Sequence, residues 1–118
     1  MDDILNKKAP IDVDFLRSVI NDDPEFEREL FKIFVENANR NIEKMEEAYD
    51  PSRYNFWYMA SHAFKGSAAS VGAFELSKIL EHAQKSSEEP AEVKAEIVKQ
   101  VKEEFAKVNK FINENLLR

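Results

Sequence analysis

Apolar residues recur every three or four positions along most of this 118-residue chain, the spacing that gathers side chains on one face of an α-helix. The longest stripe follows Asp23-Pro24, a pair typical of a helix start, and comprises Phe26, Leu30, Ile33, Phe34, Ala38, Ile42, Met45 and Tyr49. No segment shows the two-residue alternation of a half-buried strand. The pattern therefore predicts an all-α protein.

Helix breakers divide the chain into one short helix and four longer ones. The predicted helices run over about 13–20, 24–49 and 53–71, then between Gly72 and the polar cluster at Ser86, and finally from Pro90 to Leu116. Asp12 and Ser52 are the predicted caps of the first and third helices, and Gly72 suits a left-handed position after the third. Loops of about two to five residues favour antiparallel neighbours. We predict an up-down-up-down four-helix bundle with an additional short N-terminal helix, forming a single domain over residues 1–118.

Composition and charge exclude several classes of function. The absence of cysteine excludes a disulfide scaffold, thiol catalysis and cysteine-ligated zinc. No apolar run approaches the roughly 20 residues that cross a bilayer, and the first ten residues lack the apolar core of a signal peptide, so we expect a cytoplasmic protein with no membrane partner. A net charge of -6 argues against nucleic acid as a partner.

The third helix has an unusual outer face. A helical wheel places Trp57, Ala60, Phe64 and Val71 in the core-facing stripe and His62 opposite them. Around His62 lie few charged groups and several small or apolar ones: Asn55, Tyr58, Met59, Lys65, Gly66 and Ala69. Glycine inside a helix costs about 1 kcal/mol relative to alanine. One explanation for Gly66 is that another molecule approaches the histidine closely.

Phosphoryl chemistry suits these residue types. Imidazole, with an ordinary pKa of about 6.5, offers a nitrogen lone pair as a nucleophile near neutral pH. Lys65, three residues from His62 on the helix, has an ammonium suited to a phosphoryl group. An ordinary surface histidine and a glycine that permits helix packing would explain the same positions without chemistry.

The sequence from His62 to Ala73 closely resembles the signature of histidine-containing phosphotransfer (HPt) domains. That signature is His-x-x-Lys-Gly-Ser with a downstream Gly-Ala, and this chain has His62-Ala63-Phe64-Lys65-Gly66-Ser67 and Gly72-Ala73, followed by Leu76 and Leu80. The motif matches the family closely, and the rest of the chain resembles the family in its predicted architecture. It implies a phosphorelay intermediate that accepts a phosphoryl group from the phosphoaspartate of one receiver domain and passes it to another.

The resemblance also implies a role for individual residues. His62 accepts the phosphoryl group on its distal ring nitrogen, Lys65 steadies that group, and Gly66 leaves room for the partner. By its position in the motif, Gln84 is the glutamine that binds the other ring nitrogen. We expect Tyr58, Met59 and Ala69, with parts of the first two helices, to form the apolar docking patch.

The implied partners are receiver domains of response regulators, of a hybrid sensor histidine kinase, or of both. The chain has no Gly-rich phosphate loop, so we expect a phosphocarrier rather than a kinase, with no cofactor of its own and magnesium supplied by the receiver. We expect a monomer, and the initial Met favours a free-standing protein.

Three other interpretations compete with this one. The first is a helical interaction module without phosphotransfer, although intact His62, Lys65, Gly66 and Gln84 argue against it. The phosphate-accepting domain of chemotaxis kinases has a similar motif but typically carries a glutamate at the position of Gln84. A metal site on His62 and His82 is disfavoured, because these residues are 20 positions apart and lack a carboxylate in ligand spacing.

Overall fold

A computed structural model describes residues 9–20 and 23–116 of the chain. Within these residues the secondary structure is helical, without a strand. The α-helices are α1 (Val13–Ile20), α2 (Pro24–Glu46), α3 (Tyr54–Ser70), α4 (Phe74–Lys85) and α5 (Ala91–Phe111). A 3-10 turn, Pro51–Arg53, precedes α3, and a π-helical segment, Ile112–Leu116, follows α5. The eight residues at the N-terminus, where we predict no signal peptide, lie outside the described part.

The four longer helices form the predicted antiparallel bundle. Each packs against the next along the chain, and α5 closes the bundle against α2. An ion pair of 2.6 Å between Lys102 Nζ and Glu46 Oε2 joins α5 to the end of α2 and raises the pKa of Lys102. No helix in the described residues combines the length and the apolar character required to cross a membrane.

Short polar side chains start the first two helices as predicted. Asp12 Oδ1 accepts a hydrogen bond from the Phe15 amide, and Asp23 Oδ1 accepts bonds from the amides of Glu25 and Phe26. These bonds satisfy amides that have no partner within the helix.

The predicted cap at Ser52 is wrong. Asp50 instead accepts a hydrogen bond of 2.8 Å from the Ser52 amide and caps the 3-10 turn. This bond, followed by one from the Ser52 side chain, lowers the pKa of Asp50. The α-helix α3 begins one residue later than predicted, and Arg53 precedes it without a side-chain cap.

The core confirms most of the predicted apolar stripes but corrects the one on α2. Phe34, Ala38, Ile42 and Met45 are buried, whereas Phe26 and Ile33 are about half exposed and Phe31 is fully buried. On a wheel, Ile33 lies about 130° from the centre of the buried stripe, while Phe31 lies inside it. The second helix also ends at Glu46, before the predicted end at Tyr49.

On α5 a lysine occupies the centre of the buried stripe. Lys94 is completely buried, while its apolar neighbour Val93 is exposed. The Lys94 Nζ lies 3.5 Å from the Ala48 carbonyl oxygen and 5.3 Å from the centroid of the Trp57 ring. Burial lowers the pKa of this ammonium. The lysine stem fills an apolar position, which explains why residue type alone did not predict it.

The turn between α3 and α4 fixes the position of α1. Gly72 has a φ of +81°, as predicted for a residue after a helix, and its carbonyl oxygen accepts a 2.9 Å hydrogen bond from the Asp12 amide. The Phe15 ring meets the Phe74 ring edge to face, with centroids 5.1 Å apart. Leu16 is fully buried. The short N-terminal helix therefore lies against this end of the bundle.

Candidate functional site

His62 lies near the middle of α3 with its side chain exposed, as the wheel predicts. Tyr58, one turn earlier, has its ring parallel to the imidazole, with an interplanar angle of 3° and centroids 6.1 Å apart. Side chains in a helix lean toward its N-terminus, which brings residues four apart together. The tyrosine therefore limits the directions in which the imidazole can turn.

Two hydrogen bonds join α3 to α4 on either side of His62, one through a side chain of α3 and one through its backbone. The indole nitrogen Nε1 of Trp57 donates to the Ala83 carbonyl oxygen at 2.6 Å, and the Ser77 hydroxyl donates to the Lys65 carbonyl oxygen at 3.3 Å. Trp57 is completely buried. The histidine thus projects from a helix segment whose other face is fixed in the core. The sequence pattern did not indicate Ser77, because its partner is a backbone atom of another helix.

Lys65 lies one turn beyond His62 and is partly exposed. Its ammonium takes part in no ion pair with the described residues, although acidic side chains outnumber basic ones in the chain. A free ammonium on the exposed side of this helix remains available to an incoming anion. This is the arrangement expected of a group that steadies a phosphoryl group.

The surface beside His62 is open. A Cβ atom placed on Gly66 would have no heavy atom of a neighbouring group within 4 Å, so the glycine does not serve close helix packing. Ala69, one turn further, is partly buried and presents only a methyl group. The alternative explanation of Gly66 as a packing residue is therefore excluded in this structure.

Gln84 lies on α4, the helix that packs most extensively against α3. Its Oε1 atom is buried and makes no hydrogen bond, so the predicted bond from the imidazole to this oxygen is not formed in this conformation. The Ser61 hydroxyl oxygen, next to His62 in the chain, is also buried without a partner. The role of Gln84 stays a prediction. Its Oε1 atom has no other partner and can accept a hydrogen bond from the imidazole.

His82, the other histidine of the chain, is exposed on α4. Its carbonyl oxygen accepts a 2.8 Å hydrogen bond from the Ser86 hydroxyl near the end of that helix. Among the described residues, no group of three or more His, Asp or Glu side chains is placed to hold a metal ion. The structure gives no support to a metal site on the two histidines.

Large apolar side chains flank His62 at the beginning of α3. Met59 is 67% exposed and Tyr58 is 45% exposed, as expected for docking residues, and Phe56, at 64%, adds to them. Large exposed apolar side chains grouped beside a reactive residue are typical of a protein-binding surface. The sequence pattern did not indicate Phe56, because a wheel of one helix does not show which flank a neighbouring helix covers.

These features together describe a nucleophile presented to a macromolecule. The imidazole of His62 stands on a rigid helix, and the ammonium of Lys65 lies one turn away. Gly66, beside Lys65, has no side chain, and an apolar surface adjoins these residues. Such a site suits transfer of a small anionic group between proteins rather than the enclosure of a small substrate.

A comparison with protein families finds a match to the Hpt domain model over residues 29–110. This range covers more than half of the chain and includes His62, Lys65, Gly66 and Gln84. Searches of curated proteins and of solved structures find no significant match.

Proposed function

Because the chain belongs to the Hpt domain family, whose members carry phosphoryl groups on histidine in two-component systems, we propose that His62 is the phosphorylated residue. In this proposal the protein accepts a phosphoryl group from the phosphoaspartate of a receiver domain and passes it to the aspartate of another. The observation that carries the proposal is the exposed imidazole above a helix face that is otherwise fixed in the core.

Transfer proceeds by displacement at phosphorus. The Nε2 lone pair of His62 attacks the phosphoryl group, an N–P bond forms, and the P–O bond to the receiver's aspartate breaks, so that the aspartate leaves as a carboxylate. The reverse step phosphorylates the next receiver. Because such transfer depends mainly on positioning and charge stabilisation, the rigid support of α3 is a direct contribution to the rate.

Lys65 and the receiver supply the positive charge that this step needs. We assign to the Lys65 ammonium the role of holding an equatorial oxygen of the phosphoryl group, which its freedom from ion pairs supports. Magnesium comes with the receiver, whose carboxylates hold it in the usual manner for this ion. The carrier itself then needs no metal ligand.

Gln84 is proposed to hold the imidazole in its reactive tautomer. An amide oxygen that accepts the Nδ1 hydrogen leaves Nε2 unprotonated and nucleophilic. The buried, unpartnered Oε1 atom of Gln84 supports this role, because the bond would satisfy this atom. Gln84→Leu is expected to shift the His62 tautomers in NMR spectra and slow transfer, whereas an unchanged tautomer ratio would remove Gln84 from the site.

The partners proposed are receiver domains of response regulators, of a hybrid sensor histidine kinase, or of both. The exposed Tyr58 and Met59, with Gly66 and Ala69 beside them, form the surface on which a receiver docks. We further propose that the protein acts in the cytoplasm as a monomer. The direction of net phosphate flow then depends on which receiver is phosphorylated first.

The two histidines of the chain allow a matched test. Receiver domains carrying labelled phosphate are mixed with the wild type, His62→Gln or His82→Gln in the presence of magnesium. We expect the wild type and His82→Gln to take up an acid-labile, base-stable phosphate and His62→Gln to take up none. Label on His62→Gln, or none on the wild type with any of a broad panel of receivers, would contradict the proposal.

A further inference from the structure

A groove separates α2 from α3 on one flank of His62. We define the α2–α3 groove by Asn41, Lys44, Arg53, Phe56, Met59 and Ala63, which line a cavity of about 470 Å³. A second cavity, of about 260 Å³, shares Asn41, Lys44 and Ala63 with the first and extends it toward Arg40. Because Ala63 directly follows His62, the groove adjoins the phosphotransfer site.

The floor of the groove carries an amide that has no partner. Asn41 is only 9% exposed, yet its side chain makes no hydrogen bond to a protein group in the described part of the chain. It lies at the edge of the apolar stripe of α2. The polar atoms of Asn41 are not among the fully buried ones, so the amide is open to the groove and can bond to a ligand that enters it. An amide can both donate to a carboxylate or carbonyl and accept from a backbone N–H.

The rim of the groove is basic in a chain whose net charge is -6. Arg40, Lys44 and Arg53 line the two cavities, and none of them forms an ion pair with the described residues. Glu47 is the acidic lining residue, and its backbone oxygen accepts a hydrogen bond from Arg53 Nη1 at 3.4 Å. The local charge is therefore opposite to that of the whole protein and attracts an acidic group.

The groove also offers apolar contact at the end nearest the start of α3. Phe56 and Met59 line it and are both more than 60% exposed. An occupant that contacted every part of the groove would need negative charge for the basic rim and a backbone or carboxylate group to bond with Asn41. It would also need at least one apolar side chain to contact Phe56 and Met59. These are the properties of an acidic peptide segment.

We propose that the α2–α3 groove binds an acidic, partly apolar peptide segment of the receiver domain that exchanges phosphate with His62. This inference rests on the proposed function. The receiver's reacting surface carries an aspartyl phosphate and the carboxylates that hold magnesium, so a neighbouring acidic segment meets the basic rim while the phosphate meets His62. The groove then contributes to the choice of receiver, whereas Lys65 acts on the transferred group.

Charge reversal on the rim tests this proposal. Lys44→Glu combined with Arg53→Glu is compared with Lys99→Glu combined with Lys110→Glu, which makes the same charge change at exposed positions of α5 outside the groove. Transfer from a phosphorylated receiver that serves the wild type is followed at several salt concentrations. We expect the groove variant to raise KM at least about tenfold, with kcat within about twofold, and to lose most of the salt dependence of kcat/KM. The control variant is expected to follow the wild type.

A substitution on the floor gives a second, uncharged test. Asn41→Leu keeps the branched shape of the side chain and removes its polar atoms, and circular dichroism is expected to show a folded protein. We expect KM for the receiver to rise at least about threefold, because one neutral hydrogen bond is lost. Asn41→Leu with the KM of the wild type would contradict the proposed role of the amide.

The outcomes separate this inference from the proposed function. If the wild type exchanges phosphate but the groove and control variants behave alike, the groove proposal fails while the phosphocarrier function stands. If no receiver exchanges phosphate with the wild type, both fail. Sedimentation that shows a wild-type dimer and a monomeric groove variant would instead assign the groove to a second copy of this chain and overturn the proposal.

Discussion

Replacing Gly66 by alanine is expected to make the protein more stable and slower in phosphotransfer. Gly66 lies inside α3 and is exposed, and a Cβ atom there would have no heavy atom of a neighbouring group within 4 Å. The substitution therefore creates no clash and leaves no cavity. The effect on the free energy of unfolding reduces to helix propensity and the conformational freedom of the unfolded chain.

The size of the effect follows from these terms. Alanine is favoured over glycine in a helix interior by about 0.8–1.0 kcal/mol, which corresponds to a rise in Tm of about 4 °C for a domain of this size. The added methyl group meets the partner rather than this chain. Since displacement of reacting groups by about 1 Å can cost a hundredfold in rate, we expect kcat/KM for a receiver to fall at least about tenfold.

Urea unfolding and receiver-dependent transfer on the same preparations measure both effects. A less stable Gly66→Ala protein would show that the glycine serves the fold. A more stable protein with an unchanged transfer rate would show that no partner approaches this turn closely, which would refute the explanation given for Gly66.

The second glycine is a matched control with the opposite expectation. Gly72 has a φ of +81°, and a Cβ atom there would lie 2.9 Å from the Asp12 backbone oxygen. The left-handed conformation costs a non-glycine residue about 1–2 kcal/mol, and the contact requires the start of α1 to move. We expect Gly72→Ala to lower the free energy of unfolding by at least about 2 kcal/mol. Transfer well below its Tm should change little, and a stabilised Gly72→Ala would contradict this view of the turn.

Three further substitutions test the core, the site and a helix cap. Lys94→Met removes a buried ammonium whose pKa is lowered by desolvation, so we expect stability to rise by about 1 kcal/mol in urea at neutral pH. The wild type, but not Lys94→Met, should also gain stability as pH rises toward the ordinary lysine pKa of 10.5, because the native state there binds fewer protons than the unfolded state. A less stable Lys94→Met would show that the contact with Trp57 outweighs desolvation. Tyr58→Leu removes the ring parallel to His62 and should lower kcat about 3- to 10-fold, with Tyr58→Phe near the wild type, whereas equal rates for the two variants would remove the stacking role. Asp23→Ala should lower the free energy of unfolding in urea by about 1 kcal/mol, and Asp23→Asn should lower it much less. An Asp23→Ala protein as stable as the wild type would show that the cap is dispensable.

The helices and most of the core could be predicted because they depend on local pattern. The stripe on α3 is buried as predicted, and Gly72 has the left-handed backbone that a helix end requires. The cap at Ser52 failed because two side chains competed for one turn, and Asp50 captured the Ser52 amide. Local competition of this kind is decided by geometry rather than by residue preference.

Burial of Lys94 and of Asn41 shows where residue type misleads. Both lie in or beside an apolar stripe, so position predicted burial while polarity argued against it. A lysine stem can fill an apolar site, and an amide at the edge of a stripe can face a groove. The sequence signal for both residues was a polar side chain at a position of the helix where the pattern calls for an apolar one.

The sequence predicted only part of the arrangement of the candidate site. The exposure of His62 and the open turn at Gly66 follow from one helix. The α2–α3 groove and the bond from Ser77 to the Lys65 backbone depend on how two helices pair, which a single-helix wheel does not contain. Contacts between helices therefore required the structure.

The most direct test of the account is to locate the phosphoryl group at atomic level after transfer from a receiver. The protein is labelled with isotopic nitrogen in its two histidines, phosphorylated by a receiver with magnesium, and examined by NMR for coupling between phosphorus and ring nitrogen. We predict coupling to Nε2 of His62, and none to His82. Phosphate on His82, or on a residue other than histidine, would contradict the account.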